Sequence, residues 1–344
     1  METPVFTTDK KKVLEQYEKL LKLGVSVAYS KKTNNKVWEI LEEETDSEVI
    51  VHRNENLENI KDKKRAWYFT LALDENLLDS LFEKGFEKFV VDNLTDLDFL
   101  IDYIEKKNKK IDLMLRMKFK ENTIFTGKYF VFGMDSKIVN QKINNLRENK
   151  NIKKLGIHFH RKSQNISEWS LQQEISEALE KETLKKIDLL DIGGGIPGKY
   201  KNSNDKNLKR IFEEIKKLRN WLPKKTDLIL EPGRFIASES TVLKTKILSI
   251  QDRNIFVDFS IYSGAVDTLL ANVKLIVEGE GEKDKGEKYL IKGVTPCSMD
   301  ILRYSVYLHN PKVGDILTFL NAGAYAYSTN FCDLDEKKIE NVVV

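Results

Sequence analysis

Eight short apolar runs alternate with longer segments whose apolar residues recur at helical spacing. The runs are VSVAY (25–29), EVIVH (48–52), AWYFT (66–70), FVVD (89–92), IDLMLRM (111–117), LGIHFH (155–160), IDLLDI (187–192) and DLILE (227–231). Stretches between them, such as NLTDLDFLIDYIEKK and NLKRIFEEIKKLRNWL, carry the helical period. Runs that stay apolar along their length belong to strands buried on both faces, the pattern of a parallel sheet joined by right-handed helical crossovers. Eight such units predict an α/β fold with a closed (β/α)8 barrel of the TIM type over residues 24–235. Strand counting alone leaves an open, doubly wound sheet as the structural alternative.

After Arg234 the texture changes. STVLKTKILSI, RNIFVDFSIY, NVKLIVEGEG, EKYLIKGV and DILTFLNAG read as strands separated by turn clusters, with no long helix. Residues 236–344 are therefore expected to form an all-β second domain, a sandwich or barrel, with EGEGEKDKGEK (278–288) as an exposed hairpin tip.

Charge excludes one class of partner. Lys and Arg number 57 against 54 Asp and Glu, a net charge of +3, without the one-sided basic excess of a nucleic-acid-binding surface. Cys297 and Cys332 are the two cysteines, and neither belongs to a CxxC pair, so no disulfide framework or structural metal site is expected. No apolar run reaches membrane-spanning length, and METPVFTTDKKK lacks the pattern of a secretory leader. The expectation is a soluble, cytoplasmic protein.

In a barrel of this type, chemistry gathers at the carboxyl ends of the strands. Lys32 follows the first run, His160 ends the sixth, Gly193, Gly194 and Gly195 follow the seventh, and Glu231 and Arg234 follow the eighth in LILEPGRF. Loops after the seventh and eighth strands commonly hold phosphate, where glycines let backbone N–H groups converge and an arginine adds a charge-assisted contact. A phosphate site, an amine and a carboxylate together suggest pyridoxal 5′-phosphate. Lysine can form an imine with its aldehyde, and a carboxylate at the pyridine nitrogen keeps the ring a strong electron sink.

The motifs resemble those of the fold-type-III pyridoxal-phosphate-dependent decarboxylases, alanine-racemase-like barrels that include ornithine, diaminopimelate and carboxynorspermidine decarboxylases. The likeness runs nearly end to end. TPVF (3–6) resembles the opening strand of the group, which implies that the strand within residues 1–23 joins the second domain. AYSKKTN resembles the family's lysine motif and implies that Lys32 carries the cofactor. HFHRKSQ resembles HxHxGSQ, which implies ring stacking by His160 and a phosphate-side contact from Ser163. LDIGGGIPG and EPGR imply phosphate contacts from Gly193–Gly195, Gly233 and Arg234, and pairing of Glu231 with the pyridinium. TPCSMD resembles the cysteine motif, which implies that Cys297 protonates the carbanion left by decarboxylation. NAGAYAYS implies that Tyr325 contacts the phosphate. In this family the cysteine segment reaches the neighbouring subunit's site, so a homodimer is implied.

Departures concern the substrate. In VDFSIY, Phe259 falls where the resemblance expects an aspartate for a distal ammonium, and Ser298 follows Cys297 where an acidic residue is expected. Removing an ammonium from water without a carboxylate partner costs several kcal/mol, so compensation is expected from Asp258, Asp267 or Asp300, or from an altered register. His52, ending the second run, is a candidate substitute contact to the cofactor, while His158, His309 and Cys332 read as structural or surface residues. The reaction implied is decarboxylation of an amino acid, a diamino acid or a larger conjugate, through an external aldimine and protonation of the carbanion. A pyridoxal-phosphate racemase or epimerase is the first alternative, disfavoured by the acid at position 231. A non-catalytic homologue acting as a binding partner is the second, disfavoured by the joint presence of Lys32, Glu231 and Cys297.

Overall fold

The structure is a computed structural model and describes residues 2–52, 57, 59–119, 132–203, 206–283, 285–325 and 339–344. All eight runs are strands. After β1 (Val5–Thr8) come β2 (Ser26–Ser30), β3 (Glu48–Val51), β4 (Ala66–Thr70), β5 (Lys88–Val91), β6 (Ile111–Arg116), β7 (Ile152–His158), β8 (Leu189–Asp191) and β9 (Asp227–Leu230). Strands β2 to β9 close a barrel, each parallel to the next, with β9 returning to β2. An open sheet is thereby excluded. The wrapping helices are α1 (Lys10–Leu21), α2 (Asn35–Glu44), α3 (Glu75–Glu83), α4 (Leu94–Lys106), α5 (Ser136–Leu146), α6 (Leu171–Ala178), α7 (Lys181–Lys186), α8 (Lys206–Trp221) and α9 (Arg234–Ser240). Several start on a side-chain cap: Asn34, Asp74 and Asn93 each accept the backbone N–H three residues on.

Alternation along the strands divides the core in two. Ala28, Ile50, Trp67, Phe69, Val90, Met114, Leu189 and Ile229 fill the barrel interior. Their neighbours, such as Val27, Tyr29, Val49 and Val51, face the helices. Gly156 in β7 makes room inside, because a Cβ there would lie 2.6 Å from that of Leu189 and 3.1 Å from Met114 Cγ.

The remaining strands are β10 (Thr241–Gln251), β11 (Asn254–Val257), β12 (Ile276–Val277), β13 (Glu287–Lys292), β14 (Ile301–Leu308), β15 (Ile316–Leu320) and β16 (Glu340–Val343), with short helices α10 (Ile261–Gly264) and α11 (Asp267–Leu270). They form a mixed sheet ordered β12-β15-β10-β11-β13-β14, to which β1 adds by pairing with β10 and β16. The opening strand thus joins the second domain. Helix α1 does not, because Val13, Tyr17 and Leu20 pack into the barrel's outer core. The glycine-rich 278–288 run is not a hairpin tip: β12 pairs with β15, and β13 with β11 and β14. The side chain of Glu280 within it is buried and bridges Arg303 at 3.0 Å, so the run is anchored inward at that point.

Candidate active site

Lys32 lies in a 3-10 turn, Lys31–Thr33, immediately beyond β2. Its Nζ is 3.5 Å from His52 Nε2, just past β3. Lys32 is exposed at the mouth, and partial loss of water from its amine among the surrounding strand ends lowers its proton affinity; Glu231 opposes that shift and Arg116 adds to it. His52 is pushed down to about 3 by burial and by the Lys32 charge, so its ring is neutral at physiological pH. It stacks on Phe69 at 5.3 Å.

Glu231, just past β9, is 5% exposed. Oε1 lies 3.2 Å from His158 Nε2, and Oε2 lies 3.7 Å from His160 Nδ1. Asp191, at the end of β8, completes a buried cluster in which ligand-type atoms of His158, Asp191 and Glu231 all fall within 4.8 Å. Two carboxyls so close do not share one protonation state. Burial first, and the Glu231 charge second, raise Asp191 well above the ordinary carboxylate value. Burial acts on Glu231 in the same sense, but the contacts with His158 and His160 outweigh it and hold this carboxyl well below its ordinary value. The two carboxyls are driven in opposite directions, Asp191 toward its protonated form and Glu231 toward its charged one.

The triple glycine has a packing cause that the sequence did not display. A Cβ on Gly193 (φ +65°) would lie 2.5 Å from Phe159 O, one on Gly194 would lie 2.7 Å from Glu231 O, and one on Gly195 (φ +96°) would lie 2.9 Å from Lys162 O. The ends of β7, β8 and β9 converge here, and the chain itself already excludes the side chains. Gly193 N–H donates to Asp191 Oδ1 at 2.7 Å, and Gly194 N–H donates to His160 Nδ1 at 3.2 Å. Gly233 is equally confined, since its Cβ would collide with Thr33 Oγ1 at 2.1 Å.

At the other side of the mouth, Lys32, Thr33, Ser163, Arg234, Val266, Asp267, Leu270, Ala271 and Tyr325 line one cavity of about 440 Å³. The lysine turn and the tyrosine segment are tied together: Tyr325 N–H donates to Thr33 O at 3.1 Å, and Asn34 Nδ2 donates to Gly323 O at 3.0 Å. Arg234 Nε donates to Ser163 Oγ at 3.0 Å, Nη1 donates to Tyr200 OH at 2.8 Å, and the guanidinium forms a bidentate pair with Asp267.

Cys297 is elsewhere, on the β13–β14 connection against the second domain's core. Its Sγ is 3.1 Å from Tyr262 OH. That hydrogen bond is the main cause lowering the thiol's pKa, and it raises the phenol to about 12. Ser298 is exposed beside it. The three remaining substrate candidates are spoken for. Phe259 is fully buried, edge-on to Phe6 at 6.0 Å. Asp258 accepts from Thr3 Oγ1 and Lys246 N. Asp300, also fully buried, accepts from Ile261 N, Thr295 N and Thr295 Oγ1. His309 is exposed, and Cys332 lies outside the described residues.

Sequence reasoning missed Asp191, Arg116, Tyr200 and Tyr262, and read His158 as structural. Arg116 ends β6, sits 3.1 Å from Asp92 and stacks its guanidinium over Phe69. Strand-end position was the available signal for Asp191, Arg116 and His158. Tyr200 and Tyr262 gave none.

Comparison with known proteins agrees with this geometry. The family model described as pyridoxal-dependent decarboxylase, pyridoxal binding domain, matches residues 11–238. Diaminopimelate decarboxylase of Aquifex aeolicus is 25% identical over 281 residues, covering 77% of this chain and 66% of that one. The L-glutamyl-[BtrI acyl-carrier protein] decarboxylase of Niallia circulans is 22% identical, covering 73% and 65%. The chain thus spans about two thirds of the length of these curated relatives. Among solved structures, lysine decarboxylase from Selenomonas ruminantium superposes with a TM-score of 0.82 at 20% identity, over 100% of this chain and 93% of that one. Lysine/ornithine decarboxylase from Vibrio vulnificus complexed with putrescine gives 0.79 at 20%, over 99% and 94%. An end-to-end fold match, a lysine and a buried glutamate at one barrel mouth, and a family model spanning that whole barrel lead to one assignment: the chain belongs to the pyridoxal-dependent decarboxylases, with residues 11–238 as its pyridoxal-binding domain.

Proposed function

We propose that this chain decarboxylates an amino acid with pyridoxal 5′-phosphate, as a cytoplasmic homodimer. One observation carries the reading: a lysine of lowered proton affinity and a buried, charged glutamate face the same mouth. The residues there fit the cofactor. Buried polar atoms without an aligned hydrogen bond gather at these strand ends: Glu231 Oε1, both His158 nitrogens, His52 Nδ1, Asp191 Oδ2 and Thr33 Oγ1. Native interiors keep such atoms few, and a protonated ring nitrogen is a donor suited to Glu231.

Bound there, the cofactor supplies an electron sink for the pair left on the α-carbon when CO2 departs. Lys32 would hold it through the amine, whose lowered proton affinity raises the share of the neutral, nucleophilic form. Glu231 keeps a negative charge where the ring needs its proton. His160, at the mouth and tethered by Gly194, would stack on the ring face. Tyr325, Ser163, Arg234 and backbone N–H groups beyond Gly194, whose own N–H already has an acceptor as does that of Gly193, would hold the phosphate end.

Cys297 would return the proton to the α-carbon. Its S–H bond breaks as the C–H bond forms, and Tyr262 OH donates to the thiolate that remains. Cys297 does not line the Lys32 cavity within one chain, which supports a second copy bringing it there. Exposed Val294 and Met299 flank the thiol, and Leu270, 81% exposed, rims the cavity. A partner covering both patches would remove apolar surface from water. A working thiol also suits a reducing compartment. The substrate proposed is a diamino acid or larger conjugate, by analogy with the lysine/ornithine decarboxylase and the L-glutamyl-[BtrI acyl-carrier protein] decarboxylase that the chain resembles.

The test is spectroscopic and then chemical. The purified chain should show a visible cofactor band that shifts on borohydride treatment and is lost in Lys32→Ala. CO2 trapped from a panel of labelled amino acids should identify the substrate, and turnover should fall at least ~10³-fold in Lys32→Ala. A band unchanged by that substitution, or no CO2 from any amino acid, sinks the reading.

A further inference from the structure

A guanidinium has five N–H donors. At Arg234 one goes to Ser163 Oγ, one to Tyr200 OH and two to the oxygens of Asp267, at 2.5 and 3.1 Å, so the described residues leave one. The ring centres of Tyr325 and Tyr200 lie 5.1 and 5.7 Å from its Cζ. Asp267 is 8% exposed and comes from α11 of the second domain, yet it lines the Lys32 cavity. Its carboxylate presents to the arginine the same two-oxygen fork that a phosphate would.

We propose that Asp267 is an internal stand-in for the cofactor's phosphate: it occupies the Arg234 fork and sets how tightly the phosphate is bound. This rests on the cofactor reading above. Arg234 and Asp267 together carry no net charge, so the arginine presents little field to an arriving dianion. A phosphate reaching the fork must displace a carboxylate of its own sign, a juxtaposition that costs affinity. Asparagine at 267 keeps the shape and removes that cost. It leaves Arg234 its full charge while Tyr200 and Ser163 still hold it in place.

The test titrates the cofactor-free full chain with pyridoxal 5′-phosphate and with pyridoxal, which lacks the phosphate, following the visible band. Asp267→Asn should bind the phosphate ester at least ~10-fold more tightly at low salt and pyridoxal within about twofold of the wild type. In an Arg234→Gln background the gain from Asp267→Asn should vanish, because the competition is for that side chain. A wild type that shows its band while Asp267→Asn binds the ester no better, or worse, overturns the proposal and leaves the cofactor reading standing; Asp267 would then only brace the arginine. No band with any of the four proteins overturns both. Loss of pyridoxal binding in Asp267→Asn marks a fold defect, and Asp267→Ser then gives the same test with the same two outcomes.

Discussion

The barrel mouth and the cysteine turn treat buried charge in opposite ways. At the mouth, Glu231, Asp191 and His158 are each at most 5% exposed, yet Glu231 Oε1, Asp191 Oδ2 and both His158 nitrogens have no aligned hydrogen bond. In the turn Asp300 is as deeply buried, and both its oxygens are used: Oδ1 by Ile261 N at 3.0 Å, Oδ2 by Thr295 N at 3.1 Å and Thr295 Oγ1 at 2.7 Å. The turn is a finished scaffold that holds Cys297 and Tyr262 in place. The mouth is built to complete itself with something else, and unmet polar groups collect where function rather than stability is served.

The largest effect expected from this contrast is at Glu231. Glu231→Gln should lower turnover by ~10²–10³-fold, the scale of losing one preorganised charge at a reacting centre. It should lower stability as well, because the contacts that hold the carboxyl below its ordinary value favour its charge in the folded state. Steady-state kinetics beside a urea melt reads both quantities. A large stability loss with intact turnover would reverse the contrast.

Asp300→Ala tests the other side. Three donors would be left buried without an acceptor, for a loss on the order of 2–3 kcal/mol. Urea unfolding should show a lower midpoint with an unchanged slope. A midpoint within ~0.5 kcal/mol of the wild type would mean that the turn is not the finished structure described here.

How much of this was legible in sequence follows the reach of each interaction. The eight barrel strands could be read because burial on both faces marks every residue of a run, and Ala28, Trp67 and Val90 lie inside as that pattern requires. Lys32 and Glu231 could be read because strand ends and local motifs announce them. The partners of Arg234 could not, since Tyr200 and Asp267 lie 34 and 33 residues away and meet it only through tertiary packing. The same holds for Tyr262 and Cys297, 35 residues apart. The triple glycine was visible, but its cause was not. Nothing in IDLLDIGGGIPG reveals that Phe159 O and Glu231 O occupy the space where its side chains would go.

The smallest effect is the sharpest probe of the mouth. Asp191 holds its proton in the folded protein well above the ordinary value of 3.8, through burial and the Glu231 charge. In the unfolded chain it ionises near that ordinary value. With the folded value raised, its contribution to stability is whole below about pH 3.8 and is lost progressively as pH rises toward the folded value. Asp191→Asn has no proton to lose, and its amide oxygen can still accept from Gly193 N–H as Oδ1 does at 2.7 Å. The variant should therefore unfold with a midpoint on the order of 1 kcal/mol higher than wild type at pH 7–8, with the gap closing as pH falls to about 4. Urea melts of both proteins across that range measure it. A gap independent of pH would mean that Asp191 is ionised in the native state. The carboxyl pair would then carry two charges, and the account of Glu231 as the charged member of that pair would fail with it.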